Sequence, residues 1–245
     1  MEQAIPATQP PEDDTPALER HYLLLPGAGL AYCRIPKAAN SSVRFLLAKQ
    51  FRLASPDPGL RPNQDRYWLT LPAAQAVTLT AADYAALPAD RRPWCFTLVR
   101  NPVARLYSAW NNKVIENRAL SRRFLDMGVT SGMGFDAFVD RVAASPDESC
   151  DIHVRSQMAI LAGNGRLLPD FIGRVEKITA DWSHIRYELR ARRGLRLPAL
   201  PHKNARAEVQ ADIAQRIAPD VLRKIAARYR ADFEQLYPGL LDRIP

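Results

Sequence analysis

Two short apolar runs, Leu30 to Ile35 and Trp94 to Val99, each give way to a polar loop and then to a helical pattern. This repeated strand-loop-helix unit constrains the fold more than any other feature of the chain. After the first run, stopped by Pro36, helical spacing of Val43, Leu46, Leu47 and Gln50 predicts a helix over 43–51. After the second, Pro102 sits where a proline is tolerated in the first turn of a helix, continued by Val103 to Ile115. Phe171 to Val175 is a third strand candidate. Further helices are predicted at Thr80 to Leu87, with Thr80 as N-cap, and at Phe135 to Ala144, Ile152 to Leu161, Asp181 to Ala191, Ala207 to Ile217 and Asp220 to Leu236. Apolar strands separated by helices imply a parallel sheet, and such sheets bind ligands outside the carboxyl ends of their strands. Both polar loops fall at such ends.

The chain has 245 residues, which suits one α/β domain. Residues 1–20 carry Pro6, Pro10, Pro11, Pro16 and the acidic run Glu12-Asp13-Asp14, the composition of a disordered tail, leaving 21–245 as a single domain. That N-terminus lacks the basic-then-apolar order of a signal peptide, and no stretch approaches the ~20 apolar residues of a membrane span. Cys33, Cys95 and Cys150 show neither a disulfide framework nor metal-ligand spacing. A cytoplasmic, metal-free protein is therefore expected. The formal charge of +8 points to an anionic partner without choosing among nucleotide, polysaccharide, lipid headgroup and nucleic acid.

The loops narrow that choice. A helix beginning directly after a strand presents unpaired amides and a partial positive charge to an anion. In Pro36-Lys37-Ala38-Ala39-Asn40-Ser41-Ser42 the small residues permit close approach, the two serines add hydroxyls and Lys37 adds an ammonium. The lysine opens the loop and G-x-x-x-x-G-K-[ST] is absent, so this is not a Walker loop. Taken alone, the stretch also suits an ordinary capped helix with a solvated lysine. In Arg100-Asn101-Pro102-Val103-Ala104-Arg105-Leu106-Tyr107-Ser108, Arg100 stands where strand becomes helix and its planar fork matches phosphate oxygens. Ser108 lies along the helix face, and Arg105 reads as a solvated helix charge. Two anion sites at adjacent strand ends are what a nucleotide phosphorylated at both ends of its ribose requires.

At this point the residues resemble the carbohydrate sulfotransferases, especially the group of heparan 2-O-, chondroitin and related bacterial enzymes. The Pro36 to Ser42 loop is similar to the family's P-K-[small]-[small]-x-[ST]-[ST], which grips the 5'-phosphosulfate of 3'-phosphoadenosine 5'-phosphosulfate. The Arg100 to Ser108 segment is similar to R-D-P-x-x-R-x-x-S, whose arginine and serine hold the 3'-phosphate. Weaker echoes are Asp151 to Gln157 (H-W-x-P-Q), Phe171 to Glu176 (G-[KR]-[FY]-E) and Pro201-His202-Lys203-Asn204 (P-H-x-N). The departures are Asn101 for aspartate, Val154 for tryptophan, and Val175 for an aromatic that could pack on adenine.

The resemblance implies an α/β, P-loop-like three-layer fold with a central parallel sheet flanked by helices and a helix-rich C-terminal half. It further implies a sulfotransferase that carries a sulfuryl group from 3'-phosphoadenosine 5'-phosphosulfate to a hydroxyl of a carbohydrate or glycolipid. Its donor residues are Lys37, Ala38, Ala39, Asn40, Ser41, Ser42, Arg100 and Ser108, with Lys37 at the transferring bond. His153 is the preferred general base, matching a family histidine at the start of a predicted helix. Asp65, Asp83 and Asp90 lie between the donor motifs, whereas His21 sits at the tail boundary, His184 on an amphipathic helix, and His202 is a lesser candidate. A nucleotide-dependent phosphotransferase and a non-catalytic basic anion-binding module are the alternatives. Nucleic acid is not an expected partner, peripheral membrane contact stays open, and the sequence is silent on oligomeric state. Arg186, Arg190, Arg192, Arg193 and Arg196 read as a solvated helix face, and Trp94, Trp110, Trp182, Tyr107, Tyr229 and Phe233 as core.

Overall fold

The computed structural model describes residues 19–116, 119–200 and 213–244. Within them run strands β1 (Tyr22–Leu25), β2 (Leu30–Cys33), β3 (Val77–Leu79), β4 (Trp94–Val99), β5 (Ala162–Gly163), β6 (Arg166–Leu167) and β7 (Phe171–Arg174). The central sheet has the order β3-β1-β2-β4-β7, and β5 and β6 form a separate ribbon. β2, β4 and β7 pair in parallel, while β1 pairs antiparallel with both β2 and β3. Four strands thus point one way and β1 alone runs against them. β1 and β3 were not predicted: β1 is four residues long and stopped by Pro26, and β3 is three half-buried residues.

Alternation along the buried strands sends side chains to two faces. Tyr22, Leu24, Ala31, Cys33, Cys95 and Val99 enter one core, and Leu23, Leu25, Leu30, Tyr32, Phe96 and Leu98 the other. Helices cover both, which makes the three layers. On the second face lie Val43, Leu46 and Leu47 of α1 (Asn40–Gln50) and Tyr67 and Trp68 of α2 (Asp65–Leu69). On the first lie α3 (Ala81–Ala86), α4 (Pro102–Trp110), α5 (Arg122–Asp126), α6 (Phe135–Ala143) and α7 (Gln157–Leu161). The long helix α8 (Ile178–Arg193) returns to the second face through Trp182, Ile185 and Leu189, while α9 (Pro219–Arg228) and α10 (Arg230–Leu236) close the first. β7 approaches so closely that a Cβ on Gly173 would lie 2.8 Å from Leu98 Cδ2 and 3.1 Å from Asp181 Cβ. Trp182 and Phe233 are core, as expected, and Arg186 donates to the Leu197 carbonyl. Among the described residues no helix is long and apolar enough to cross a membrane.

Several boundaries move for local reasons. Thr80 caps α3 in a full capping box with Asp83. The helix predicted from Ile152 starts only at Gln157, because Ser156 serves as its N-cap and residues 152–156 form a turn. Tyr229 leaves helical geometry at φ −111 and ψ 27 and donates its hydroxyl to the Val154 carbonyl at 2.6 Å, splitting the predicted Asp220 to Leu236 helix in two. Much of the predicted Ala207 to Ile217 helix, and His202, lie outside the described residues. Glu19 and Arg20, assigned by composition to the tail, are engaged: Glu19 pairs with Arg123 and Arg155, and Arg20 donates to the Thr78 carbonyl.

Candidate active site

The carboxyl ends of β2 and β4 lie side by side, so the loops after them meet. After β2 the chain makes an unusual turn: Lys37 (φ 68) and Ala39 (φ 56) both adopt left-handed backbone without being glycine. Left-handed residues alternating with ordinary ones turn successive amides inward into an anion-sized nest, and such strain collects at ligand sites. Ala39 is the N-cap of α1 and has no capping side chain. The helix therefore begins at Asn40, three residues earlier than predicted, and the amides of Asn40, Ser41 and Ser42 form its uncapped first turn. The Ala38 amide is used within the loop, donating to the Ile35 carbonyl at 3.3 Å. Ser42 is nearly buried and Ser41 exposed.

Arg100, at the end of β4, is fixed by its own backbone. Its amide donates to Gln157 Oε1 at 2.9 Å and its carbonyl accepts from Gln157 Nε2 at 2.8 Å. Gln157 is held in turn by Asp232, whose carboxylate accepts from the amides of Gln157 and Met158 at 2.9 and 2.8 Å. The guanidinium donates through Nη1 to the Lys37 carbonyl at 3.0 Å, leaving Nε buried without a protein partner. An unpaired buried donor on a half-buried cation is suited to an anion. Asn101 caps α4, its Oδ1 accepting from the amides of Val103 and Ala104, while its own amide donates to Glu176. Tyr237 grips the other Glu176 oxygen at 2.9 Å. Ser108 stands half-buried near the end of α4.

Arg105 is not the solvated charge that helical spacing predicted. It is 2% exposed, and its guanidinium donates to the carbonyls of Pro36 (3.0 Å), Arg155 (2.7 Å) and Ile152 (3.3 Å). The turn before α7 folds over that side of α4 and converts the expected outer face into a junction. Arg105 thereby ties the Lys37 loop to the segment that carries His153.

Lys37 Nζ donates to Asn112 Oδ1 at 2.9 Å. Asn112 belongs to a π-helical turn, Asn111–Glu116, that prolongs α4 and was invisible to sequence reasoning; such turns recur at functional sites. Burial, with Lys113 and Arg100 nearby, brings the Lys37 ammonium down to about 8, against a smaller upward pull from Glu116. His153 lies within electrostatic reach of both Lys37 and Lys113. It occupies the turn before α7 rather than a helix start, with Nδ1 at 2.7 Å from Asp151 Oδ1. Burial lowers its pKa; Asp151 opposes this, and the two lysines reinforce it, favouring the neutral ring. Arg100 is thus bonded to the Lys37 loop, and Arg105 ties that loop to the turn that carries His153, whereas Asp65 is bound to Arg34 and Arg44 and Asp83 to Thr80. His184 lies against Phe171 with ring centroids 4.6 Å apart, and His21 is buried beside Arg34.

The model of a family described as "Sulfotransferase family" matches residues 20–238. Neither a curated protein nor a solved structure matches the chain.

Proposed function

Because the chain belongs to the sulfotransferase family, we propose that it carries a sulfuryl group from 3'-phosphoadenosine 5'-phosphosulfate to a hydroxyl of a carbohydrate or glycolipid acceptor. The observation that carries the donor assignment is the bond from Arg100 Nη1 to the Lys37 carbonyl, which joins the two loops. In this reading the Asn40, Ser41 and Ser42 amides and the serine hydroxyls hold the 5' end. Arg100, with its unpaired Nε, holds the 3'-phosphate, and Ser108 assists from α4. The fit is to a ligand anionic at both ends.

Lys37 is assigned to the transferring bond, where its ammonium stabilises charge gathering on the phosphate oxygen that leaves sulfur. The left-handed turn and the bond to Asn112 orient it there, with no acidic side chain among the described residues bound to Nζ. His153 is assigned as general base, its neutral ring suited to accept a hydroxyl proton. Positioning and charge supply the catalysis, as in phosphoryl transfer. The proposal extends to a reducing, cytoplasmic setting, supported by three buried free cysteines.

Calorimetric titration with 3'-phosphoadenosine 5'-phosphate, ATP and a DNA duplex tests the donor assignment. The bisphosphate is expected to bind in preference to both. Preference for ATP would turn the reading toward a phosphotransferase, and preference for DNA toward a basic binding module whose affinity falls steeply with salt.

A further inference from the structure

The surroundings of His153 carry one step more, which rests on its reading as the base. Asp151 is 3% exposed, and both of its carboxylate oxygens accept hydrogen bonds. Oδ1 accepts from the His153 amide at 2.8 Å and faces the ring Nδ1 at 2.7 Å, while Oδ2 accepts from Ser121 Oγ at 2.5 Å. Ser121 is itself placed as the N-cap of α5, accepting from the Phe124 amide at 3.2 Å. An ionised carboxylate can only accept, so the ring nitrogen facing it must donate. A buried carboxylate is costly unless paired, and this one is paired with the side chains of His153 and Ser121.

We infer that Asp151 and Ser121 are positioning residues: the carboxylate, steadied by the serine hydroxyl, holds His153 as its Nδ1–H tautomer and leaves the Nε2 lone pair open to the acceptor hydroxyl. As the acceptor oxygen bonds to sulfur, Nε2 takes the hydroxyl proton into a new N–H bond. The bond between sulfur and the bridging oxygen breaks, and its electron pair stays on the 5'-phosphate, opposite Lys37. The ring is left as imidazolium against Asp151, which stays ionised. The charged groups acting on the ring are Asp151 from its own turn, Lys113 from the π-helical turn and Lys37 from the loop after β2. The two lysines disfavour imidazolium, and the Asp151 carboxylate is the largest influence that makes proton uptake easier.

The test is long-range proton–nitrogen NMR on the full chain labelled with [15N]histidine, titrated with pH. The wild-type neutral ring is expected to carry its proton on Nδ1. Asp151→Asn can keep its one oxygen toward the His153 amide and ring, with its Nδ2 donating to Ser121 Oγ, but removes the charge, and is expected to lower the His153 pKa by about 1–3 units. Asp151→Ala is expected to give a mixture of tautomers, and Ser121→Ala a smaller downward shift than Asp151→Asn. The same spectra report whether each variant is folded. An unchanged titration in Asp151→Asn, or a wild-type ring already protonated on Nε2, overturns the inference. The donor assignment fails by a different result, the absence of bisphosphate binding by wild-type protein, which leaves the histidine readout intact.

Discussion

Replacing Arg105 by methionine keeps the aliphatic length of the side chain and deletes the guanidinium that ties Pro36, Ile152 and Arg155 together. Hydrogen bonds from a charged donor contribute about 1.5–3 kcal/mol each, so three such bonds set the gross loss at roughly 5–9 kcal/mol. Removing a buried cation that has no carboxylate bound to it returns several kcal/mol of desolvation. A net destabilisation of about 2–4 kcal/mol is expected in urea unfolding. The more telling effect is on the ligand. The Lys37 loop loses its anchor at Pro36, so 3'-phosphoadenosine 5'-phosphate should bind at least tenfold more weakly in calorimetry while the fold persists. Arg105→Lys, whose single ammonium cannot span three carbonyls, should fall between. Unfolding within about 0.5 kcal/mol of wild type, with bisphosphate affinity retained in Arg105→Met, would refute the view of Arg105 as the tie between the two halves of the site.

Lys37 gives a prediction with opposite signs for stability and binding. Its folded value near 8, below the ordinary 10.5, means that the unfolded chain binds more protons between those values, so ligand-free stability should rise with pH across that window. Lys37→Met should flatten that rise and be more stable at pH 7 by about 1 kcal/mol or more, measured by urea unfolding, yet lose bisphosphate binding. In wild-type protein the bisphosphate affinity should decline as pH rises through about 8, by up to about tenfold per unit, because the anion selects the ammonium. Asn101→Ala removes the cap of α4 and should cost about 1 kcal/mol in thermal unfolding, whereas Asn101→Asp, which can also cap, should cost far less. Gly173→Ala pushes a methyl into Leu98 and Asp181 and should destabilise by about 1–3 kcal/mol in the same assay.

The parts of the fold legible in the sequence were those with a local cause. β2 and β4 are apolar runs buried on both faces, and α3 announces its start through Thr80 and Asp83. The two polar loops were legible as chemistry, small and hydroxylated residues around Lys37 in one and Arg100 at a strand end in the other, though their backbone was not: nothing in Lys37-Ala38-Ala39 signals two left-handed residues where glycine is expected. What sequence could not supply were partners far along the chain. Gln157 clasps Arg100 from 57 residues away, Asp232 clasps Gln157 from 75, and Arg105 faces inward only because a turn 47 residues later covers it. Asp151 and His153, two residues apart, were readable as neighbours, yet the serine completing the set lies 30 residues upstream.

The π-helical turn after α4 makes the lysine's surroundings depend on counting. Such a turn holds one residue more than an α-helical one, and each residue of an α-helix turns the next by about 100°. Deleting Ile115 would let α4 run on in ordinary register and swing Glu116, which accepts from Asn111 and Asn112, to another face, with no polar or charged side chain removed. A scan by deletion should therefore find a sharp, one-codon frame around Lys37 that a scan by substitution passes over.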